Sequence, residues 1–392
     1  MDIEKKIEIQ YWGGILMIIA TRSTQSAQEL LVKSNPIRTL SEQAKVILGH
    51  RYFLKDQDST IIEDGNSLFR RVAKAISAID ANYYVLPVES QLLEKDFFTM
   101  MSKLEFLPNS PTLMNAGTEQ GTLSACFVLP LEDSMQGIMK AATDTAMVQK
   151  FGGGTGFALS KIRPRGDKIK TTHGIACGPI EVLKTLSRVS SMITQGGKRD
   201  GANMAVMSIY HPDILDFINC KSVEGEIHNF NISVGVDSRW MNYVSTNSDY
   251  PLINPTTNEV AGYLNAREVF NTIVSGAWKN GEPGMIFLDQ VNKDNHVIDT
   301  YGEMIATNPC GEQPLLGNES CNLGSINLAK FFVPYDGAFK PEAKTRWQGQ
   351  VDWERLKIVT KLGVHFLDNV IDANYYATPD IEKMTKATRK IG

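Results

Sequence analysis

Ala205-Val206-Met207-Ser208-Ile209, Asp213-Ile214-Leu215-Asp216-Phe217-Ile218 and Asn231-Ile232-Ser233-Val234-Gly235-Val236 follow one another in a chain of 392 residues. The outer two segments are short and β-prone, and the middle one is helical in pattern. The same alternation extends both ways. Upstream lie strand-like Cys126–Leu129, helical Ser134–Gln149, strand-like Phe157–Leu159 and helical Ile180–Ile193. Downstream come helical Ala266–Lys279 and strand-like Met285–Leu288. Strands that alternate with helices define an α/β fold, a parallel sheet covered by helices and either open or closed into a barrel.

Outside this region the texture changes. Asn66 or Ser67 is expected to cap a helix whose apolar face includes Leu68, Val72, Ala75, Ile76 and Ile79. A second amphipathic stretch runs from Val88 to about Leu104, so the first hundred residues read as helical. Pro108-Asn109-Ser110-Pro111 breaks that pattern. The apolar run Tyr11–Ala20 is about half of what a membrane-spanning helix needs, and it reads as an N-terminal strand or a misassigned start, with Met17 as the true first residue. At the other end, helical Asp352–Asn374 precedes another helix after Pro379, which finds nothing in the sequence to pack against. That pattern points to a truncated chain, prone to aggregate or inactive alone.

Composition excludes several functions. Hydrophobic residues make up 42% and charged residues 21%, the mix of a soluble globular protein. A net charge of -4 offers no basic excess for phosphate neutralisation, so nucleic acid is not an expected partner, and neither is a membrane. The five cysteines, Cys126, Cys177, Cys220, Cys310 and Cys321, are too few and too scattered for a secreted disulfide framework, which points to the cytoplasm. The six histidines show no ligand spacing, and no metal site is expected.

Chemistry concentrates in a few segments. Gly152-Gly153-Gly154-Thr155-Gly156 lies between a helix and a strand, the reverse of a dinucleotide fingerprint, and reads as a tight packing turn. Gly196-Gly197-Lys198-Arg199-Asp200-Gly201 sets two cations among glycines, but Arg199 stands where a Walker loop needs Ser or Thr. The most informative stretch is Asn308-Pro309-Cys310-Gly311-Glu312, followed by Cys321-Asn322-Leu323-Gly324-Ser325. In an extended loop Asn308, Cys310 and Glu312 would share one face. A carboxylate raises the pKa of a nearby thiol, which suits hydrogen-atom chemistry better than a nucleophilic thiolate. On spacing alone, a loop with a structurally buried cysteine stays open.

These segments, with Leu107–Gly117 (LPNSPTLMNAG), Ser124–Ser134 (SACFVLPLEDS) and Gly196–Asn203 (GGKRDGAN), resemble the large catalytic chain of ribonucleotide reductases, most closely the adenosylcobalamin-dependent class II type. The resemblance runs from about Leu40 to Gly392. It implies an extension over 1–35, a helical N-terminal domain over 36–106, and over 107–392 the first part of a ten-stranded α/β barrel. It also implies reduction of ribonucleotides by thiyl-radical chemistry, with adenosylcobalamin as cofactor.

By that resemblance Cys310 carries the radical, Glu312 takes the 3′-hydroxyl proton, and Asn308 bonds the ribose hydroxyls. Cys126 and Cys321 form the redox pair that becomes a disulfide. Ser110, Ser124 and Ala125 contact substrate. Asp133 and Arg163 contact a (deoxy)nucleoside triphosphate effector, and Lys198 and Arg199 belong to the loop that links effector to substrate base. Cys177 and Cys220 match no functional cysteine and read as structural. The implied partners are a second copy of the chain, the missing C-terminal half and a thioredoxin-like reductant. A class I large-chain fragment, or a non-catalytic effector-binding module, remains an alternative.

Overall fold

Eight short strands position the site: β1 Cys126–Val128, β2 Gly154–Ala158, β3 Asn203–Ser208, β4 Phe230–Val236, β5 Gly284–Phe287, β6 Ala306–Thr307, β7 Pro314–Leu315 and β8 Glu319–Cys321. Six of them form one sheet in the order β5-β4-β3-β2-β1-β8. The first five are parallel, and β8 runs antiparallel to β1 with Cys321 opposite Cys126. Strands β6 and β7 pair with each other as a separate hairpin. The α/β expectation holds, with the sheet left open rather than closed into a barrel.

The computed structural model describes residues 8–12, 15–19, 40–83, 87–118, 121–169, 173–195, 199–222, 225, 227–334 and 349–392, and only the backbone at 8–12, 15–19, 87–90, 194–195, 199–200 and 334. Residues 1–39 and 40–392 are separate compact units. In the first, Glu8–Trp12 pairs antiparallel with Ile15–Ile19, so the apolar run there is a hairpin rather than one strand.

Both faces of the sheet are covered, and its strands therefore read as continuous apolar runs. Phe127, Phe157, Ala205, Met207, Ile232 and Val234 point outward, where the crossover helices Met135–Lys150, Pro179–Ser191 and Ile214–Asn219 pack. The alternate residues Cys126, Val128, Ala158, Met204 and Val206 point inward, against Ala306 and Leu315 of the hairpin.

A second core joins the helices that precede the sheet in sequence to the helix that follows it. Leu68, Val72 and Ile76 of the helix Gly65–Ser77 meet Phe97 and Met100 of Pro87–Ser102 and Phe366 and Val370 of Trp353–Ala373. Phe97 and Phe366 stack edge to face at 5.0 Å. Each such buried side chain contributes about 1.5–3 kcal/mol.

Three local expectations need correction. The Gly65–Ser77 helix is capped by Asp64, not Asn66 or Ser67; the Asp64 carboxylate accepts from Ser67 N at 2.8 Å in a capping box. Gly154 and Gly156 belong to strand β2 rather than to a turn. The last helix, Pro379–Thr388, does have a partner: Ile381 is fully buried, Thr385 Oγ1 accepts from Ser320 N of β8 at 3.0 Å, and Arg389 pairs with Asp368 and Asp372 of the preceding helix. The sequence reading also passed over the Ser238–Thr246 helix and the hairpin Asp249–Ile253/Val260–Asn265.

Candidate active site

The β6–β7 hairpin crosses the inner face of the sheet and carries Asn308–Gln313 at its tip. Its turn is closed from within. Asn308 N donates to Gln313 O at 3.0 Å, and Gln313 N donates to the Asn308 side-chain oxygen at 2.9 Å. Gly311 N donates to Asn308 O at 3.1 Å, and Gly311 takes a φ of +84°, a conformation only glycine adopts at low cost. The segment is thus a tight turn rather than the extended loop expected. Asn308, Cys310 and Glu312 still face one cavity, because the turn folds them together instead of alternation aligning them.

Glycines let this hairpin approach the sheet. A Cβ on Gly156 would overlap the Thr307 carbonyl, and one on Gly154 would lie 2.6 Å from Pro309 Cγ. From β4, Asn231 Nδ2 donates to the Pro309 carbonyl at 2.8 Å. Gly154 and Gly156 therefore form a seat for the hairpin.

The cavity has a volume of about 300 Å³, at the lower end of ordinary ligand sites. Ser110, Ala125, Cys126, Gly154, Ala202, Asn308, Cys310 and Glu312 line it. It lies at the N-terminal ends of β1, β2 and β3, opposite to the usual ligand edge of an open α/β sheet. Cys310 is exposed, Asn308 is wholly buried, and Cys126 is 5% exposed. Asn308 Nδ2 lies 3.1 Å from the Cys126 sulfur, which ties the hairpin tip to the sheet. Cys321 is buried behind Cys126 and takes no part in the lining. Burial, with the adjacent Cys126, pushes the Cys321 thiol far above its ordinary range and keeps it protonated.

The other expected residues separate into groups. Ser110 lies on the cavity wall, with its hydroxyl 2.7 Å from that of Tyr52. Ser124 is not part of the cavity wall; it is buried just ahead of β1, where its hydroxyl accepts from Asn374 Nδ2 at 3.2 Å. Asp133 and Arg163 join in an ion pair of 2.8 Å at the C-terminal ends of β1 and β2, away from the cavity. Lys198 lies outside the described residues. Arg199 sits in a two-residue strand opposite Gln195, and the chain from it leads directly to Ala202 on the cavity wall. Cys220 lines a different groove with Cys177, and burial pushes its thiol up to about 12.

Sequence reasoning missed Asn109, which stood only as part of a breaker cluster. Its side-chain oxygen caps the helix Ser110–Asn115, while its Nδ2 is buried at the cavity wall without a hydrogen bond. Such an unsatisfied donor is expensive unless a ligand meets it.

Residues 38–121 match the all-alpha domain of ribonucleotide reductase, and residues 124–392 match its barrel domain. The chain belongs to the ribonucleotide reductase large-chain family. Among its relatives is a vitamin B12-dependent ribonucleoside-diphosphate reductase of Thermoplasma acidophilum, 39% identical over 95% of this chain and 53% of the relative. A protein of the same description from Mycobacterium tuberculosis is 42% identical over 90% of this chain and 49% of the relative. A ribonucleoside-diphosphate reductase subunit alpha of Chlamydia muridarum is 27% identical over 87% of this chain and 34% of the relative. The chain thus spans about half the length of the first two. Among the described residues, no helix is long and apolar enough to cross a membrane.

Proposed function

We propose that this chain carries the thiyl-radical site at which a ribonucleotide reductase converts ribonucleotides to 2′-deoxyribonucleotides. The observation that carries this reading is the cavity itself: an exposed thiol at a hairpin tip faces a second thiol, Cys126, that is cross-strand to a third, Cys321. Nucleoside diphosphates are the proposed substrate, in keeping with the printed names of the Thermoplasma and Mycobacterium relatives.

In the proposed reaction the Cys310 sulfur radical takes the 3′ hydrogen of the ribose. Glu312 accepts the 3′-hydroxyl proton, which eases departure of the 2′-hydroxyl. One thiol of the Cys126/Cys321 pair protonates that hydroxyl, which leaves as water. The pair supplies two electrons and a second proton to the sugar and becomes a disulfide, Glu312 returns its proton to the 3′ oxygen, and Cys310 returns the hydrogen to C3′. Asn308 holds the tip of the hairpin beside Cys126 throughout. The chemistry that adenosylcobalamin supplies when bound is removal of the hydrogen atom from the Cys310 thiol.

The site fits such a group, because Cys310 is exposed and the cavity rim beside it is open. No atom stands within 4 Å of where a Cβ of Gly152 would be. Asp133 and Arg163 are proposed effector contacts, with Lys198 and Arg199 in the loop that reports to Ala202. The exposed Met135 and Met139 suit the helix Met135–Lys150 to an interface with a second copy. A dithiol protein is the proposed reductant, and the cytoplasm the proposed compartment.

A single-turnover experiment without added reductant tests the reading. The part of the Thermoplasma relative that the match leaves uncovered is supplied together with the chain. Deoxynucleotide should appear in stoichiometry with a Cys126–Cys321 disulfide mapped by mass spectrometry. Product without that disulfide would overturn the assignment of the pair.

A further inference from the structure

On the inner face of the edge strand β8 lies a charged pair that the proposed chemistry leaves unused. Glu319 is completely buried, and its Oε2 accepts from Lys390 Nζ at 3.0 Å and from Leu316 N at 2.8 Å. Its Oε1 is buried without a hydrogen bond. Removing a carboxylate and an ammonium from water is expensive, and a pair so placed is weak evidence for stability alone.

Its position relative to Cys321 is specific. Glu319 and Cys321 are two residues apart on one strand and so share a face. Ile391 bridges Asn322 in parallel, with Gly392 N donating to Asn322 O at 3.0 Å. One position back on each chain, Lys390 stands beside Cys321 on that same face. Lys390 Nζ also reaches the Pro314 carbonyl of β7 at 3.3 Å, so it touches both the redox strand and the hairpin that bears Cys310.

We propose that Lys390, anchored by Glu319, is the positioning cation for re-reduction of the Cys126–Cys321 disulfide. The inference rests on the redox role proposed above for the two cysteines. Cys126 lines the cavity and Cys321 does not, so an incoming dithiol meets the Cys126 sulfur first. Its thiolate forms a mixed disulfide with Cys126, the Cys126–Cys321 bond breaks, and Cys321 leaves with the electron pair as a thiolate. The second thiol of the reductant then displaces Cys126, the reductant is oxidised by two electrons, and each cysteine takes up a proton.

The rate of such an exchange depends on how well the leaving sulfur bears charge. Burial, Cys126, Glu319 and Glu312 all oppose a charge on Cys321, and Lys390 favours it. Lys390 therefore lowers the barrier at the step in which Cys321 leaves as an anion.

The test uses the 392-residue chain. It is oxidised with diamide, and the reduction of the disulfide by dithiothreitol is followed across the neutral to alkaline range. Lys390→Met should slow reduction on the order of ten-fold and move its pH profile to higher pH, and Lys390→Arg should restore most of the rate. Glu319→Gln should reduce at least as fast as the unaltered chain, because an amide oxygen still accepts from Lys390 Nζ while the opposing charge is gone. An unchanged rate in Lys390→Met overturns the proposal. So does a Glu319→Gln variant slowed as much as Lys390→Met, which is the pattern of lost packing. Should Lys390→Met not fold, the sign of the Glu319→Gln effect decides alone. If diamide does not join Cys126 to Cys321 at all, it is the redox reading that fails.

Discussion

Gly156 of β2 and the carbonyl of Thr307 in β6 are in direct backbone contact, and a Cβ at Gly156 has nowhere to go. This contact sets how deeply the hairpin with Cys310 sits against the sheet. Gly156→Ala should push the hairpin outward, at a cost of about 1–3 kcal/mol in unfolding free energy. Turnover should fall far more than stability, since sub-ångström placement governs reaction at Cys310. Denaturant titration beside a turnover assay checks both; full activity in a folded Gly156→Ala variant would show that the contact is not needed.

Asn308 closes the turn through its oxygen and meets Cys126 through its nitrogen. Asn308→Ala should leave Gln313 N without its side-chain acceptor and cost about 1–3 kcal/mol. It should also loosen the Cys310 tip from Cys126, with turnover reduced at least on the order of a hundred-fold. Equilibrium unfolding and single-turnover product formation measure the two effects separately.

His211 is buried, with one ring nitrogen 2.8 Å from the Ile162 carbonyl and the other accepting from Asp213 N at 3.0 Å. Burial holds its pKa below the ordinary 6.5, against the Ile162 bond and the charges of Asp213 and Asp167. The unfolded chain therefore binds this proton more readily than the folded one. Stability should fall as pH drops below about 6.5 and level off beneath the folded-state value. Thermal unfolding against pH should show that loss, and His211→Asn should flatten it.

Arg163 and Asp133 form a partly exposed ion pair, which is worth about 0–1 kcal/mol. Arg163→Ala should thus shift the unfolding midpoint little. If the pair belongs to an effector site, the same variant should lose binding of deoxynucleoside triphosphates in equilibrium dialysis. Unaltered binding would remove Arg163 from that site.

The sheet was legible because parallel strands buried on both faces leave uninterrupted apolar runs, as in Ala205–Val206–Met207. The cavity trio was legible as a motif but not as a shape. Extended alternation was the simplest geometry for Asn308, Cys310 and Glu312, whereas Gly311 at φ +84° bends them into a turn. Local spacing could not reveal the seat that Gly154 and Gly156 provide, because the partner backbone is about 150 residues away. The same holds for Ser320 and Thr385, whose bond gives the last helix its place. Ser124 shows the converse limit: being next to Ala125 in a motif does not fix which way a side chain points.

The central claim is that Cys310 is the radical-bearing thiol of a nucleotide-reducing site. Its most direct test is deoxyribonucleotide formation from ribonucleoside diphosphates, with adenosylcobalamin, dithiothreitol and the uncovered part of the Thermoplasma relative supplied. The account predicts product that requires the cobalamin and disappears in Cys310→Ala, while that variant still folds and binds effector. Product formation that survives Cys310→Ala would contradict it.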